Sequence, residues 1–210
     1  MSYRENLDEI SFKIINTANT LFTRHGVEAV SMHQVAQTAG IGQGTLYRRY
    51  SNKSRLCLAI MKSKLDLFME DVEQYLQAAK ERPVLERLST LIEKVVGLTQ
   101  ENMEWMKAVT HSERLEEAKD NCFEAPHFKQ LTGWMRTLLE EAARNGELID
   151  LKPDIASTII ASSFSPMLIL HLHNRGYSSE QIAMEYCRTF IAPLFVDLSV
   201  HHSSSDGCMS

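Results

Sequence analysis

The chain lacks the marks of several large functional classes. Its four cysteines, Cys57, Cys122, Cys187 and Cys208, are scattered and form no C-x-x-C pair. That argues against a zinc site or a disulfide framework and fits a reducing compartment. Polar residues interrupt every apolar run, so no membrane span is visible. The opening M-S-Y-R-E-N-L-D-E has no apolar core of a secretion signal, and residence in the cytoplasm is the expectation. There is no G-x-S-x-G, no P-loop, no H-E-x-x-H and no adjacent His-Asp pair. Glu116-Glu117 and Glu140-Glu141 are sequence neighbours whose side chains diverge on a helix, so both pairs read as solvated. His171 and His173 lie two apart and make a poor metal pair; His201-His202 in the tail would bind metal only adventitiously. No enzyme activity, metal or cofactor is expected. No alternating strand pattern and no internal repeat is present.

What the chain does contain is 210 residues of ordinary hydrophobic content, 44%, which is enough for a sizeable core and excludes wholesale disorder. The net charge of -5 hides an asymmetry. Residues 1–64 hold nine Lys/Arg against four Asp/Glu, a net +5, and residues 65–210 hold thirteen against twenty-three, a net -10. A basic head on an acidic body suits a protein that meets nucleic acid through one end. Chance clustering on a solvated surface is the alternative.

The stretch S-M-H-Q-V-A-Q-T-A-G-I-G-Q-G-T-L-Y-R-R-Y-S-N-K-S-R-L, residues 31–56, carries the strongest signal. Ser31 with Gln34 predicts a capping box. Val35, Ala36 and Ala39 predict a short packed helix, and Gly40 its left-handed stop. Ile41 plugs the turn. A second helix is predicted from Gly42 or Gln43 to Tyr50, with Leu46 inward. Ser51-Asn52 then caps a third helix from Lys53. Two short helices across a tight Gly turn describe a helix-turn-helix whose second helix enters a DNA major groove.

The run Ala39-Gly40, Gly44-Thr45-Leu46-Tyr47, Tyr50 and Lys53 closely resembles the N-terminal signature of the TetR/AcrR transcriptional regulators, over roughly Ile10 to Ile60. The resemblance implies an all-α protein of about nine helices. A three-helix DNA-binding head (1–52) is followed by a linker helix (53–79), a ligand-binding and dimerisation domain (80–200) and a disordered tail (201–210). It also implies that Thr45, Tyr47 and Lys53 contact phosphates. Their hydroxyls, phenol and ammonium are suitable donors, and Lys53 sits at a helix N-terminus that attracts anions. Gly44 lets the backbone approach the duplex. Base readout falls to Gln43 and Arg48, because Gln matches adenine and Arg matches guanine. Ser31, His33 and Gln34 on the supporting helix are lesser candidates. The alternatives are a half-buried Tyr47 packed on the first helix, a simply exposed His33, and a solvated role for one of Arg48 and Arg49.

The rest of the chain reads as helices. Leu7, Ile10, Ile14, Ala18, Leu21 and Phe22 mark an amphipathic helix closed by Arg24-His25-Gly26, after a polar arm over residues 1–6. Val27 and Val30 in the connector should pack into the head. A long helix runs from Lys53 to about Ala79, and Glu81-Arg82-Pro83 marks a boundary. Further helices are predicted over Leu85–Asn102, Glu104–Leu115, Phe128 to a stop near Asn145-Gly146, Pro153–Arg175 with a kink at Pro166, and Ser178–Ser199 with a kink or break at Pro193. Glu116 to Pro126 reads as a loop or broken helix.

One head reads too few base pairs for a genome, so a homodimer on a palindrome is expected. The resemblance places its interface on the last two helices, through Met167, Leu168, His171, Tyr186, Phe190 and Leu194; a thick monomer core would give the same periodicity. Trp105, Met106, His111, Phe128, Trp134, Met135 and Phe164 are the candidate walls of a pocket for a largely apolar effector, against the alternative of plain core. The resulting expectation is a repressor released from a double-stranded operator by a small molecule. The alternatives are an activator, a ligand-dependent co-repressor, or a helical carrier or enzyme with a vestigial head.

Overall fold

The structure is a computed structural model that describes residues 8–101 and 123–196. The expected N-terminal arm, the Glu104–Leu115 helix, most of the loop after it and the tail lie outside the described residues. Among the described residues the chain forms nine α-helices. These are α1 (Glu9–His25), α2 (Met32–Thr38), α3 (Gln43–Arg49), α4 (Lys53–Ala78), α5 (Val84–Glu101), α6 (Pro126–Arg144), α7 (Pro153–Ser163), α8 (Pro166–Asn174) and α9 (Ser179–Tyr186). They divide into two compact units. The described part of the first is residues 8–77, 101 and 123–127; that of the second is residues 78–100 and 128–196.

Local chemistry explains the helix ends in the first unit. Asp8 caps α1: its Oδ1 accepts from the amides of Ile10 at 3.1 Å and Ser11 at 3.0 Å. Ser31 Oγ accepts from the Gln34 amide at 3.2 Å, and Gln34 Oε1 accepts from the Ser31 amide at 2.7 Å, completing the predicted capping box of α2. Gly40 then takes φ +63°, a conformation that would strain any residue with a Cβ. Asn52 Oδ1 accepts from the Arg55 amide at 2.9 Å and starts α4.

Ile14, Ala18, Phe22, Val27, Val30, Val35, Leu46, Leu56 and Ile60 form one buried cluster. Val27 and Val30 therefore pack as expected, and Ile41 and Tyr50 cover the cluster's edge. Ile10 departs from expectation. It lies on the outer side of α1 and is 40% exposed.

In the second unit α5 and α6 contribute Leu88, Leu91, Ile92, Val96, Met135, Leu139 and Ala142 to the core. Gly97 is accommodated within α5, and Gly146 at φ +73° follows the end of α6. Proline has larger effects than a kink. The expected single helix from Pro153 to Arg175 is two helices, α7 and α8, whose axes bend by 46°. Pro166 supplies no N–H and excludes helical geometry at Ser165, so α7 ends and Pro166 opens α8. The last helix is likewise shorter than expected. After α9, whose Ser178–Gln181 capping box forms as expected, residues Cys187–Ile191 widen into a π-turn and Ala192–Leu194 tighten into a 3-10 turn. Pro193 cannot donate to the carbonyl four residues back, and the Ala192 amide reaches Cys187 O instead. The chain then extends. Leu148 and Phe195 form an isolated antiparallel bridge, with Ile149 N donating to Leu194 O at 3.0 Å and Val196 N to Glu147 O at 2.8 Å.

Glu141 corrects a second expectation. It is not solvated: its carboxylate accepts from both terminal nitrogens of Arg87, at 3.1 Å for Nη1–Oε2 and through Nη2–Oε1. The Arg87 side chain is only 5% exposed. Loss of one partner would strand a buried charge. Glu141→Ala should therefore lower the unfolding free energy in urea by about 2–3 kcal/mol, the low edge for buried pairs, because Glu141 itself stays 32% exposed. Arg87→Met combined with Glu141→Leu should cost much less.

Candidate nucleic-acid interface

The candidate recognition element is α3, and one side chain fixes its rotation. Leu46 is fully buried. At about 100° per residue, Gly44 and Arg48 then fall opposite Leu46, with Gln43 and Tyr47 on one flank and Thr45 and Arg49 on the other. The exposures agree: Gln43, Gly44 and Arg48 are exposed, Tyr47 is 47% exposed and Thr45 is half-buried. Tyr47 thus keeps about half of its surface open to solvent on the flank of α3.

The remaining candidates divide by what else they do. Arg49 Nη1 donates to Asp8 Oδ2 at 2.5 Å and to Ser11 Oγ at 2.9 Å, tying the end of α3 to the start of α1. The Ser11 amide first, then Arg49, hold the Asp8 carboxyl below its usual range. Lys53 Nζ donates to Val27 O at 2.9 Å and Glu28 O at 3.3 Å, so it clamps the connector between α1 and α2 and keeps one donor to spare. Ser31 and Gln34 are spent on the capping box. Exposed His33 on α2 accepts through Nδ1 from Gln43 Nε2. Of the pair Arg48 and Arg49, both exposed, Arg49 is the one engaged with α1. Asp8 was not a sequence candidate; its only local signal is the N-cap position before α1. Cys57 lies beneath this surface, and burial pushes its thiol up to about 11, which makes it inert at neutral pH.

The other candidate residues fall on or outside the second unit. Trp105, Met106 and His111 lie outside the described residues. Phe128 and Trp134 are half-buried on α6, and Met135 is fully buried. Phe164, at the break between α7 and α8, stacks on Tyr186 at 4.3 Å, and Tyr186 stacks on Phe190 at 5.0 Å. The Tyr186 hydroxyl bonds to Ser163 Oγ, which donates to Ile160 O at 2.6 Å. These aromatics line an open, mostly apolar cavity of about 630 Å³, together with Leu168, Ile169, Leu172 and Ile182. One expected pocket residue, Phe164, and three expected interface residues, Leu168, Tyr186 and Phe190, thus share one cavity; Phe128, Trp134 and Met135 are not in its lining. Met167 and His171 are exposed, and Leu194 is half-buried. Among the described residues no cluster of three or more His, Cys, Asp or Glu could hold a metal ion.

A capped helix, a glycine turn and a second helix with a buried anchor and a polar outer side define a helix-turn-helix DNA-binding domain. Residues 14–60 match the family described as bacterial regulatory proteins, tetR family. The chain is 39% identical over 71 residues to an HTH-type transcriptional regulator of Staphylococcus aureus (strain USA300), covering 34% of this chain and 38% of that protein. The chain thus matches little more than a third of that relative's length. Both matches lie in the N-terminal part of the chain, which is similar to the DNA-binding domain of the tetR family. The fold likeness extends further. A TetR/AcrR regulator from Thermobifida fusca aligns at TM-score 0.64 and 20% identity over 86% of this chain and 96% of its own. FadR from Bacillus subtilis, solved with stearoyl-CoA, aligns at 0.61 and 19% over 87% and 98%. SmeT, solved with triclosan, aligns at 0.60 and 18% over 97% and 100%.

Gly44 offers a clean probe of the interface. Nothing lies within 4 Å of where its Cβ would stand. Gly44→Ala should therefore stabilise the free protein, by about 0.5 kcal/mol or more, and yet weaken DNA binding if backbone and duplex approach closely here. Thermal melting and electrophoretic mobility shift on one protein batch check both signs.

Proposed function

We propose that this chain is a homodimeric transcriptional repressor, resident in the cytoplasm, that leaves a palindromic operator when a small, largely apolar molecule binds its second unit. The observation that carries the reading is the outer side of α3, where Gln43, Gly44, Tyr47 and Arg48 stand exposed around a fully buried Leu46. In this reading Gln43 and Arg48 read base edges. Tyr47, Thr45 and the spare donor of Lys53 hold phosphates, and Lys53 adds the N-terminal field of α4. Arg49 positions α3 through Asp8. No enzyme role is assigned.

Two observations support the partner copy and the effector. Ile155, Ile159, Met167, Leu168, Met184 and Phe190 in the second unit are each at least 48% exposed, and large exposed apolar residues in number mark an interaction surface. Proteins of similar fold were solved with stearoyl-CoA, which has a long apolar acyl chain, and with triclosan, which is aromatic. The effector needs differential affinity for the DNA-competent and released states; a tenfold release takes about 1.4 kcal/mol of coupling.

Two measurements test the assignment. Arg48→Ala should cost about 1–3 kcal/mol of operator affinity and relax base preference at one position per half-site. Unchanged affinity and preference would remove Arg48 from the reading surface. Ile159→Asp with Phe190→Asp should shift the protein from dimer to monomer in sedimentation equilibrium and abolish tight operator binding. A dimer that survives both charges would place the interface elsewhere.

A further inference from the structure

We propose that His33 determines base specificity by positioning Gln43: it takes one hydrogen of the Gln43 amide and so sets Gln43 to accept adenine and refuse guanine at one operator position. The inference rests on the DNA-reading assignment above and deepens it. His33 lies on α2 and Gln43 opens α3, so their contact joins the supporting helix to the recognition helix across the Gly40 turn. Both residues are exposed, on the side of the unit assigned to DNA.

The chemistry follows from counting donors. The Gln43 amide has two N–H donors and one carbonyl acceptor. Nε2 donates to His33 Nδ1, so the neutral ring carries its proton on Nε2. In this proposal His33 takes the hydrogen that points away from Oε1, and Gln43 retains the other N–H beside Oε1. Adenine presents N7 as acceptor and N6–H as donor in the major groove, which this pair complements. Guanine presents two acceptors, N7 and O6. Meeting both needs both amide hydrogens, and one is already held. A Gln43 without the histidine can turn its amide either way and meet either purine. The held amide also enters the complex with less rotamer freedom to lose. Two features keep the contact in register: the Ser31–Gln34 capping box fixes the start of α2, and Leu46 fixes the rotation of α3.

The test uses the duplex that the wild-type protein selects from a random library, remade with each of the four bases at the position where Gln43→Ala loses its preference. Affinities are read by fluorescence anisotropy for wild type, His33→Leu and His33→Asn. Asn places an amide oxygen near the site of Nδ1 and restores the acceptor; Leu does not. Wild type and His33→Asn should favour adenine over guanine about tenfold, and His33→Leu should bring the two purines to near equality. A wild-type ratio in His33→Leu, or an equal loss in both variants, would overturn the proposal while leaving the DNA reading intact. So would a selected duplex on which Gln43→Ala changes no base preference. Failure of the wild type to select any duplex would overturn the DNA reading, and this inference with it.

Discussion

Leu46 occupies the buried cluster of the first unit with no exposure, and the orientation of α3 depends on it. A seven-residue helix cannot hold itself in water; isolated helices of that length are unstable, and packing must fix both its existence and its rotation. Burying a leucine side chain contributes about 2 kcal/mol, more than any exposed contact of the same helix. Once Leu46 points inward, the 3.6-residue period decides everything else. Gly44 and Arg48 face away, Gln43 comes within reach of His33, and Arg49 comes within reach of Asp8. The outer side of α3 is a consequence of one apolar contact.

A reading surface of this size binds few base pairs, and phosphate contacts alone give affinity without sequence preference. In the proposed reading the basic charge of residues 1–64 supplies the first kind of binding, and the side chains of α3 supply the second. The structure divides its cations between these tasks and internal ones. Arg49 and Lys53 hold helices and connectors in place, and Arg87 is committed to Glu141 within the second unit. Counting basic residues therefore overstates the number available to DNA.

Much of the first unit was legible because its signals are local. A capping box spans four residues, a left-handed glycine marks its own turn, and the small-apolar spacing before Gly40 needs nothing beyond the helical period. What escaped the sequence was pairing across distance. Arg49 meets Asp8 over 41 residues and Arg87 meets Glu141 over 54, and neither pair leaves a trace in periodicity. Proline was read correctly as a kink or break at Pro193 and underrated as a kink at Pro166. At Pro166 a helix broke in two, and before Pro193 the chain widened into a π-turn, because the size of the response depends on which carbonyls nearby side chains satisfy. Here Ser163 donates to Ile160 O beside the first break, and the Tyr186 hydroxyl bonds to Ser163. Phe164 and Tyr186 were assigned different roles from sequence, yet they stack on one another, since periodicity cannot separate a cavity wall from a surface that meets a partner.

The central claim is that α3 reads DNA as one of two symmetric copies. Selection from a random duplex library with purified protein and no added ligand tests it most directly. The account predicts enrichment of a two-fold symmetric motif whose half-site centres lie about one helical turn or a multiple of it apart, lost when Tyr47 and Arg48 are both replaced by Ala. Enrichment of no motif, or of one that survives the double replacement, would contradict it.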